Sequence, residues 1–130
     1  MRKLFIALTL ALSLGACANL QNAYNTVTGA SVSPDTVYVA RNAFDALEVT
    51  STNYIRYCTV HRNASGCYDQ AIKQLIPAVR SGRVARNNLT QFQKDNPGAL
   101  GPSGLYNALV TATNTLQQIQ SQYNIGAVGK

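Results

Sequence analysis

The sequence predicts an all-α fold, a small antiparallel three-helix bundle behind a flexible N-terminal tether. Three amphipathic segments follow one another between residues 34 and 126, each roughly 20 to 26 residues long and separated by short connections. Each segment has one apolar stripe at helical spacing, so each must bury that stripe against another segment. No run with the period of a strand, internal repeat or phosphate-binding glycine loop indicates a competing fold.

The chain begins with a segment that is typical of export signals. Arg2 and Lys3 precede an apolar stretch from Leu4 to Leu14. This pattern describes a secretory signal, because a membrane-spanning helix needs about 20 apolar residues. We therefore expect residues 1–16 to be removed. Removal takes two of the eleven basic residues and none of the five acidic ones, which leaves a mild net side-chain charge of +4 on a single domain.

The end of this segment resembles a lipobox. Leu14-Gly15-Ala16-Cys17 is similar to the motif at which bacterial lipoprotein precursors are cut, although Gly15 stands where Ala, Ser or Thr is more common. The resemblance implies that Cys17 becomes an N-terminus acylated with fatty acids such as palmitate, and two or three chains give stable anchoring in the lipid bilayer. Ala18, in place of Asp, implies the outer membrane in a Gram-negative cell. The alternative is an ordinary secretory cut after Ala16.

Residues 17–33 are small and polar, with only scattered apolar side chains. Such a segment cannot bury enough surface to offset its ordering entropy, so we expect a flexible tether, lipidated at Cys17, that lifts the domain off the membrane. The bundle then spans residues 34–126. Beyond it we expect a fraying tail, from about Ile125 and fully over residues 127–130.

The first helix opens at Ser33-Pro34-Asp35, with a capping serine, a proline at the first helical position and an acid at the positive end of the dipole. Its predicted buried stripe is Val37, Ala40, Phe44, Leu47, Ser51, Tyr54 and Cys58. On the opposite face, Asp45 and Glu48 are spaced like an acid and base pair. Because Arg41 precedes Asp45 by one turn, we expect an ordinary surface ion pair there.

Cys58 and Cys67 remain after processing, and an exported chain oxidises such a pair where geometry permits. We expect a disulfide that stabilises the fold by about 2.5 to 3 kcal/mol. Zinc is the alternative, although with His61 these cysteines supply at most three ligands at an unusual spacing. His61 itself lies between them, and a solvated loop histidine is expected there. A hydrolytic pair of His61 and Asp69 is a less favoured alternative.

The second helix runs from Tyr68 to about Lys94. Its predicted stripe is Ala71, Leu75, Ala78, Gly82, Ala85, Leu89 and Phe92. Pro77 lies inside it and predicts either a kink or two shorter helices. The small residues Ala78, Gly82 and Ala85 are expected to let a neighbouring backbone come close, as a packing device.

Arg80, Arg83 and Arg86 fall on one side of this helix, with Arg62 in the preceding loop. Arginine pairs well with phosphate and carboxylate, so the group is a candidate site for lipopolysaccharide, peptidoglycan or an acidic envelope protein. The alternative is a solvated polar face. Nucleic acid is not expected as a partner, because the chain has an export signal and the strip has no interleaved aromatic residues.

Turn-forming residues over 96–102 end the second helix, and Ser103 is predicted to cap a third that runs to about Tyr123. Its predicted stripe is Leu105, Leu109, Ala112, Leu116, Ile119 and Tyr123. The outer face is rich in Asn, Thr and Gln and has almost no charge. That face could pack on a partner or a second copy, or it could be a neutral surface.

These features predict a non-enzymatic binding or assembly module, anchored in the bacterial envelope by lipid, that needs no cofactor or metal. Its partner and oligomeric state stay open. One alternative is a carrier of a small ligand, with a pocket between the second helix and its neighbours near Pro77. A less favoured alternative is an envelope hydrolase that uses His61.

Overall fold

A computed structural model describes residues 31–127, and it confirms the all-α class with three helices. The elements in chain order are β1 (Ser31–Val32), α1 (Pro34–Val60), α2 (Asp69–Asp95), β2 (Gly101–Pro102), α3 (Ser103–Gln122) and a 3-10 turn (Ile125–Ala127). The predicted signal, Cys17, most of the predicted tether and residues 128–130 lie outside this range. Within it, no helix has the length and apolarity needed to cross a membrane.

Helix α1 begins as predicted. The Ser33 side chain accepts a hydrogen bond from the backbone N–H of Thr36 at 3.3 Å, and Pro34 occupies the first turn, where its missing donor costs nothing. Six of the seven residues in its predicted stripe are buried, and the seventh, Leu47, packs against the core while partly exposed. The helical period in the sequence therefore located the buried face of α1 correctly.

Helix α2 is continuous through Pro77, so the proline does not divide it into two helices. Pro77 itself is exposed, while Leu75, Ala78 and Val79 on either side of it are buried. A helix-interior proline removes one backbone hydrogen bond. We attribute the continuity of α2 to the packing of these neighbours, which fixes both parts of the helix on the same core.

Gly82 of α2 lies against the ring of Phe44 from α1. A Cβ atom at position 82 would overlap with the ring atoms Cε2, Cζ and Cδ2 of Phe44, which is fully buried. Gly82 is therefore a packing position, as expected, and the nearest group of α1 to it is a side chain. The space left by its missing side chain is filled by an aromatic ring.

Helix α3 starts at Ser103, but Pro102 occupies the capping position and no side chain caps the helix, so the predicted Ser103 cap is wrong. The buried face is also wider than the predicted stripe. Its additional buried residues are Tyr106, Val110 and Thr113. Burial raises the pKa of the Tyr106 phenol above its ordinary value of 10.0.

Both ends of the described chain are held on the bundle. Val32 is buried and pairs with Gly101 in a two-residue antiparallel ladder, although the sequence assigned it to the tether. At the other end, Asn124 has a φ of 50°, and the following Ile125 is buried in the core. The prediction that Ile125 frays is therefore wrong, because the chain turns back at Asn124 and brings this apolar side chain onto the bundle.

Candidate functional site

Helices α1 and α2 meet along a line that we call the α1–α2 seam, from Arg41 to Ile55 on α1. Its first half is closed by polar pairs, which are Arg41 with Gln93, Asp45 with Arg86, and Glu48 with Arg83. The Arg41 Nη1 to Gln93 Oε1 distance is 3.0 Å, and Arg86 Nε lies 2.9 Å from Asp45 Oδ1. In these three pairs the residue number on α2 falls as the residue number on α1 rises, so the two helices run in opposite directions.

Asp45 and Glu48 are engaged in ion pairs, as expected, but with other partners. The sequence pointed to Arg41, one turn before Asp45, whereas the structure gives both carboxylates arginines from α2. Arg41 instead donates to Gln93 across the seam. The expected pair within α1 is therefore wrong, because the rotation of α2 places its arginines against the carboxylates.

The three arginines predicted to bind anions are not equivalent. Arg83 and Arg86 are paired with Glu48 and Asp45, whereas Arg80 has no ion-pair or hydrogen-bond partner within residues 31–127. These five groups carry three positive charges and two negative ones, which leaves one positive charge in excess. The fourth predicted residue, Arg62, is exposed in the turn between α1 and α2. The anion-binding role of the strip stays a prediction, and Arg80 is its unpaired member.

Beyond the Glu48–Arg83 pair the seam opens into a groove of about 350 Å³. Its lining residues are Thr52, Ile55, Ile76, Val79, Arg80, Arg83, Val84 and Asn87. Val79 is buried, while the side chains of Ile76 and Val84 are 42% and 56% exposed. The groove thus combines aliphatic walls with two guanidinium groups.

The groove lies beside Pro77, where the ligand-carrier alternative expected a pocket, but the small residues Ala78, Gly82 and Ala85 do not line it. Sequence reasoning named Arg80 and Arg83 and missed Thr52, Ile55, Val84 and Asn87. One signal was available for Val84, an aliphatic residue that lies outside the predicted stripe between two arginines.

Thr52 brings an unsatisfied hydroxyl to this groove. Its Oγ1 atom is buried and has no hydrogen-bond partner, whereas the hydroxyls of Thr50 and Thr59 bond the carbonyl one turn earlier. A buried hydroxyl without a partner costs about 1 to 3 kcal/mol, so such groups call for an explanation in a native structure. Because Oγ1 has less than 1 Å² of accessible surface, it is closed off from a molecule in the groove, and its missing partner is a cost of the packing at this point.

The far end of the seam is held covalently. Cys58 and Cys67 form the predicted disulfide, with Cα atoms 5.3 Å apart, so they are not zinc-binding thiolates in this structure. Next to them, the buried Tyr54 hydroxyl donates to the Gly66 carbonyl at 3.0 Å and accepts from the Tyr68 backbone N–H at 2.8 Å. The loop between the helices is therefore fastened by one covalent bond and two hydrogen bonds.

His61 is exposed at the end of α1, as expected for a loop histidine. Its ring stacks on Tyr57 with centroids 4.5 Å apart, and Nδ1 lies 3.1 Å from the Tyr57 carbonyl oxygen. No hydrogen bond joins His61 to Asp69 in the part of the chain that the structure describes. The two residues named for a hydrolytic pair are therefore not brought into contact here.

The outer face of α3 is polar and exposed at Asn107, Thr111, Asn114 and Gln118. Gln120 is used inside the bundle instead, because its Nε2 donates to the Leu47 carbonyl at 2.8 Å and to Ser51 Oγ at 2.9 Å. One amide of α3 thus fastens it to α1.

Between residues 31 and 127, no three His, Cys, Asp or Glu side chains come together as metal ligands. The features that remain are an aliphatic groove and an unpaired arginine on its wall, which together suit binding of an apolar group with an anionic end. The chain matches no protein-family model, no curated protein and no solved structure.

Proposed function

We propose that this chain is the precursor of a bacterial envelope lipoprotein whose helical domain is a non-enzymatic binding or assembly module. Two observations support export and anchoring. The Leu14–Cys17 motif resembles a lipobox, and the Cys58–Cys67 disulfide is typical of proteins in oxidising compartments. In a Gram-negative cell the proposed location is the outer membrane, with the domain in the periplasm.

The observation that carries the binding role is the groove on the α1–α2 seam. Small-molecule sites combine apolar walls with a few polar or charged groups that orient the ligand. Here Ile76, Val79 and Val84 supply apolar walls, and Arg80, which has no partner within residues 31–127, supplies a positive charge. The proposed module binds an envelope component at this groove.

The anchoring part is tested by changing Cys17 to Ser in cells fed a labelled fatty acid. We expect the unchanged chain to take up the label and to fractionate with membranes, because acylation needs the cysteine sulfur. The Cys17→Ser chain should take up none. A Cys58→Ala/Cys67→Ala variant, which keeps Cys17, is the matched control and should still be labelled. Equal labelling of the Cys17→Ser chain would contradict the lipoprotein assignment.

The binding part is tested by photocrosslinking in intact cells. A photoreactive amino acid replaces Val84 in the groove or, as the control, Val49, which is on α1 outside the groove and has a similar exposure of 60% against 56%. We expect a discrete adduct from position 84, either a second protein or a small added mass, and none from position 49. The same adduct pattern at both positions would exclude the groove as the binding surface.

Arg80→Gln is the variant that best separates binding from folding. Substituting all three arginines would also break the pairs with Asp45 and Glu48, whereas Arg80 has no partner within residues 31–127. We expect Arg80→Gln to weaken the adduct from position 84 while the thermal midpoint of unfolding stays unchanged. An undiminished adduct would remove Arg80 from the proposed site.

A further inference from the structure

The groove has the features of a site for one particular chemical class of ligand. We infer that it binds a single-chain carboxylate amphiphile, that is, one aliphatic chain with a single anionic head. This inference rests on the proposed binding role of the seam and specifies the ligand. The head is assigned from the polar pairing along the seam, and the tail from the shape and lining of the groove.

The arginine–carboxylate pairs along the seam end at Glu48, the last acidic residue of α1. Asp45 and Glu48 each meet an arginine of α2, but the next residue of α1 on the seam is Thr52. Arg80 then lines the groove, and it has no ion-pair or hydrogen-bond partner within residues 31–127. A carboxylate held there accepts from the Arg80 guanidinium, and so continues the series of arginine–carboxylate pairs.

The charge of the groove favours a head with one negative charge. Arg80 and Arg83 contribute two positive charges, and Glu48, which is bonded to Arg83, contributes one negative charge. A carboxylate therefore neutralises the groove. A doubly charged phosphate monoester would leave an excess negative charge in the groove, to which the Glu48 carboxylate also contributes, and like charges repel.

The size and lining of the groove favour one extended chain. Its aliphatic walls are Ile55, Ile76, Val79 and Val84. The volume of about 350 Å³ is near the lower end of the range for small-molecule pockets, roughly 300 to 1,000 Å³. A single aliphatic chain in a groove of this volume contacts these walls, including the buried Val79.

The test uses a dodecanoic acid that carries a photoreactive diazirine, added to the full chain in vesicles of zwitterionic phospholipid. We expect labelled peptides to map to α1 and α2 around the groove, and unlabelled dodecanoate to compete. The methyl ester of the same probe has the same tail without the charge, so it should label the groove at least tenfold less. Equal labelling by acid and ester would overturn the assignment of the head.

Variants of the full chain then locate the site. Arg80→Gln should reduce labelling by the acid at least tenfold, and Val84→Glu should abolish it by placing a negative charge in the groove. Arg56→Gln is the matched control, because Arg56 is exposed on α1 outside the groove, and it should label like the unchanged chain. Labels outside the groove, or stronger labelling by a dodecyl phosphate probe, would overturn the inference.

Failure of the inferred ligand is distinguishable from failure of the proposed function. A specific adduct from position 84 in cells, with equal labelling by acid and ester, would leave the binding role in place and remove the carboxylate amphiphile as its ligand. Identical adduct patterns from positions 84 and 49 would instead remove the binding role on which the inference rests.

Discussion

The two halves of the α1–α2 seam are held together by different chemistry. In one half, carboxylates of α1 pair with arginines of α2, although Arg41 Nε is buried there without a partner within residues 31–127. In the other half, aliphatic side chains line a groove, a threonine hydroxyl and an arginine lack partners, and a disulfide with a tyrosine fastens the end. The half that contains the groove, where we propose that binding occurs, is thus the half that a covalent bond secures.

Removing the disulfide should have the largest effect on how the two halves of the seam differ in stability. We expect Cys58→Ala/Cys67→Ala to lower the free energy of unfolding by about 2.5 to 3 kcal/mol, because the short loop gains freedom in the unfolded chain. Urea unfolding measures the loss. Amide hydrogen exchange should also rise more in the groove half, around Tyr54 and Leu75, than in the polar half around Asp45. A uniform rise along α1 would show that the two halves open together.

Gly82 lies between the halves, where the Phe44 ring fills the space of its missing side chain. We expect Gly82→Ala to destabilise the protein by about 1 to 3 kcal/mol through overpacking, measured by urea unfolding. Adding Phe44→Leu should recover part of the loss by making room for the new methyl group. Gly104→Ala is the control, since a Cβ there meets no atom within 4 Å, and it should leave stability equal or higher. A neutral Gly82→Ala would contradict the close contact with Phe44.

The Tyr54 hydroxyl secures the groove half without a covalent bond. We expect Tyr54→Phe to cost about 1 to 3 kcal/mol, because the Tyr68 N–H and the Gly66 carbonyl both lose a partner. Thermal unfolding, compared with Tyr38→Phe at an exposed position, measures this cost. The control should change stability by less than about 0.5 kcal/mol. Equal midpoints for the two variants would mean that solvent replaces both hydrogen bonds.

Glu48→Gln should have the smallest effect on stability, a loss of about 0.2 to 1 kcal/mol that shrinks as salt is added, because Arg83 of this pair is half exposed. In contrast, Glu48→Gln should strengthen binding of an anionic ligand. Glu48→Gln removes the negative charge that offsets Arg83, which raises the net charge of the groove from +1 to +2, so labelling by the dodecanoic acid probe should increase. Asp95→Asn, outside the groove, should leave labelling unchanged. Weaker labelling of Glu48→Gln would show that Arg83 does not face the carboxylate of the probe.

The helices and the disulfide could be predicted because their signals are local. The spacing of Val37, Phe44 and Leu75 fixes which face of each helix is buried, and export with two cysteines favours a disulfide. The wider buried face of α3 could not be read in the same way. Tyr106, Val110 and Thr113 are buried beside the predicted stripe, and the period of that stripe does not specify how wide the contact with the other helices is.

The groove depends on how the helices are rotated against each other, which no periodicity specifies. Arg80, Arg83 and Arg86 looked alike in the sequence, and only the positions of Asp45 and Glu48 on the facing helix separate the paired arginines from the unpaired one. Thr52 likewise looked like any residue beside the stripe. Its buried hydroxyl became visible only once α2 was placed against it.

The two-residue ladder between β1 and β2 has a mechanical consequence for a protein anchored as proposed. Any pull between the membrane and the bundle enters the domain at Ser31 and Val32, which pair with Pro102 and Gly101. So short a ladder resists little force, but the burial of Val32 adds to it. Tension would therefore peel this strand first and lengthen the tether by a few residues, while α1, capped at Ser33, and the groove stay intact.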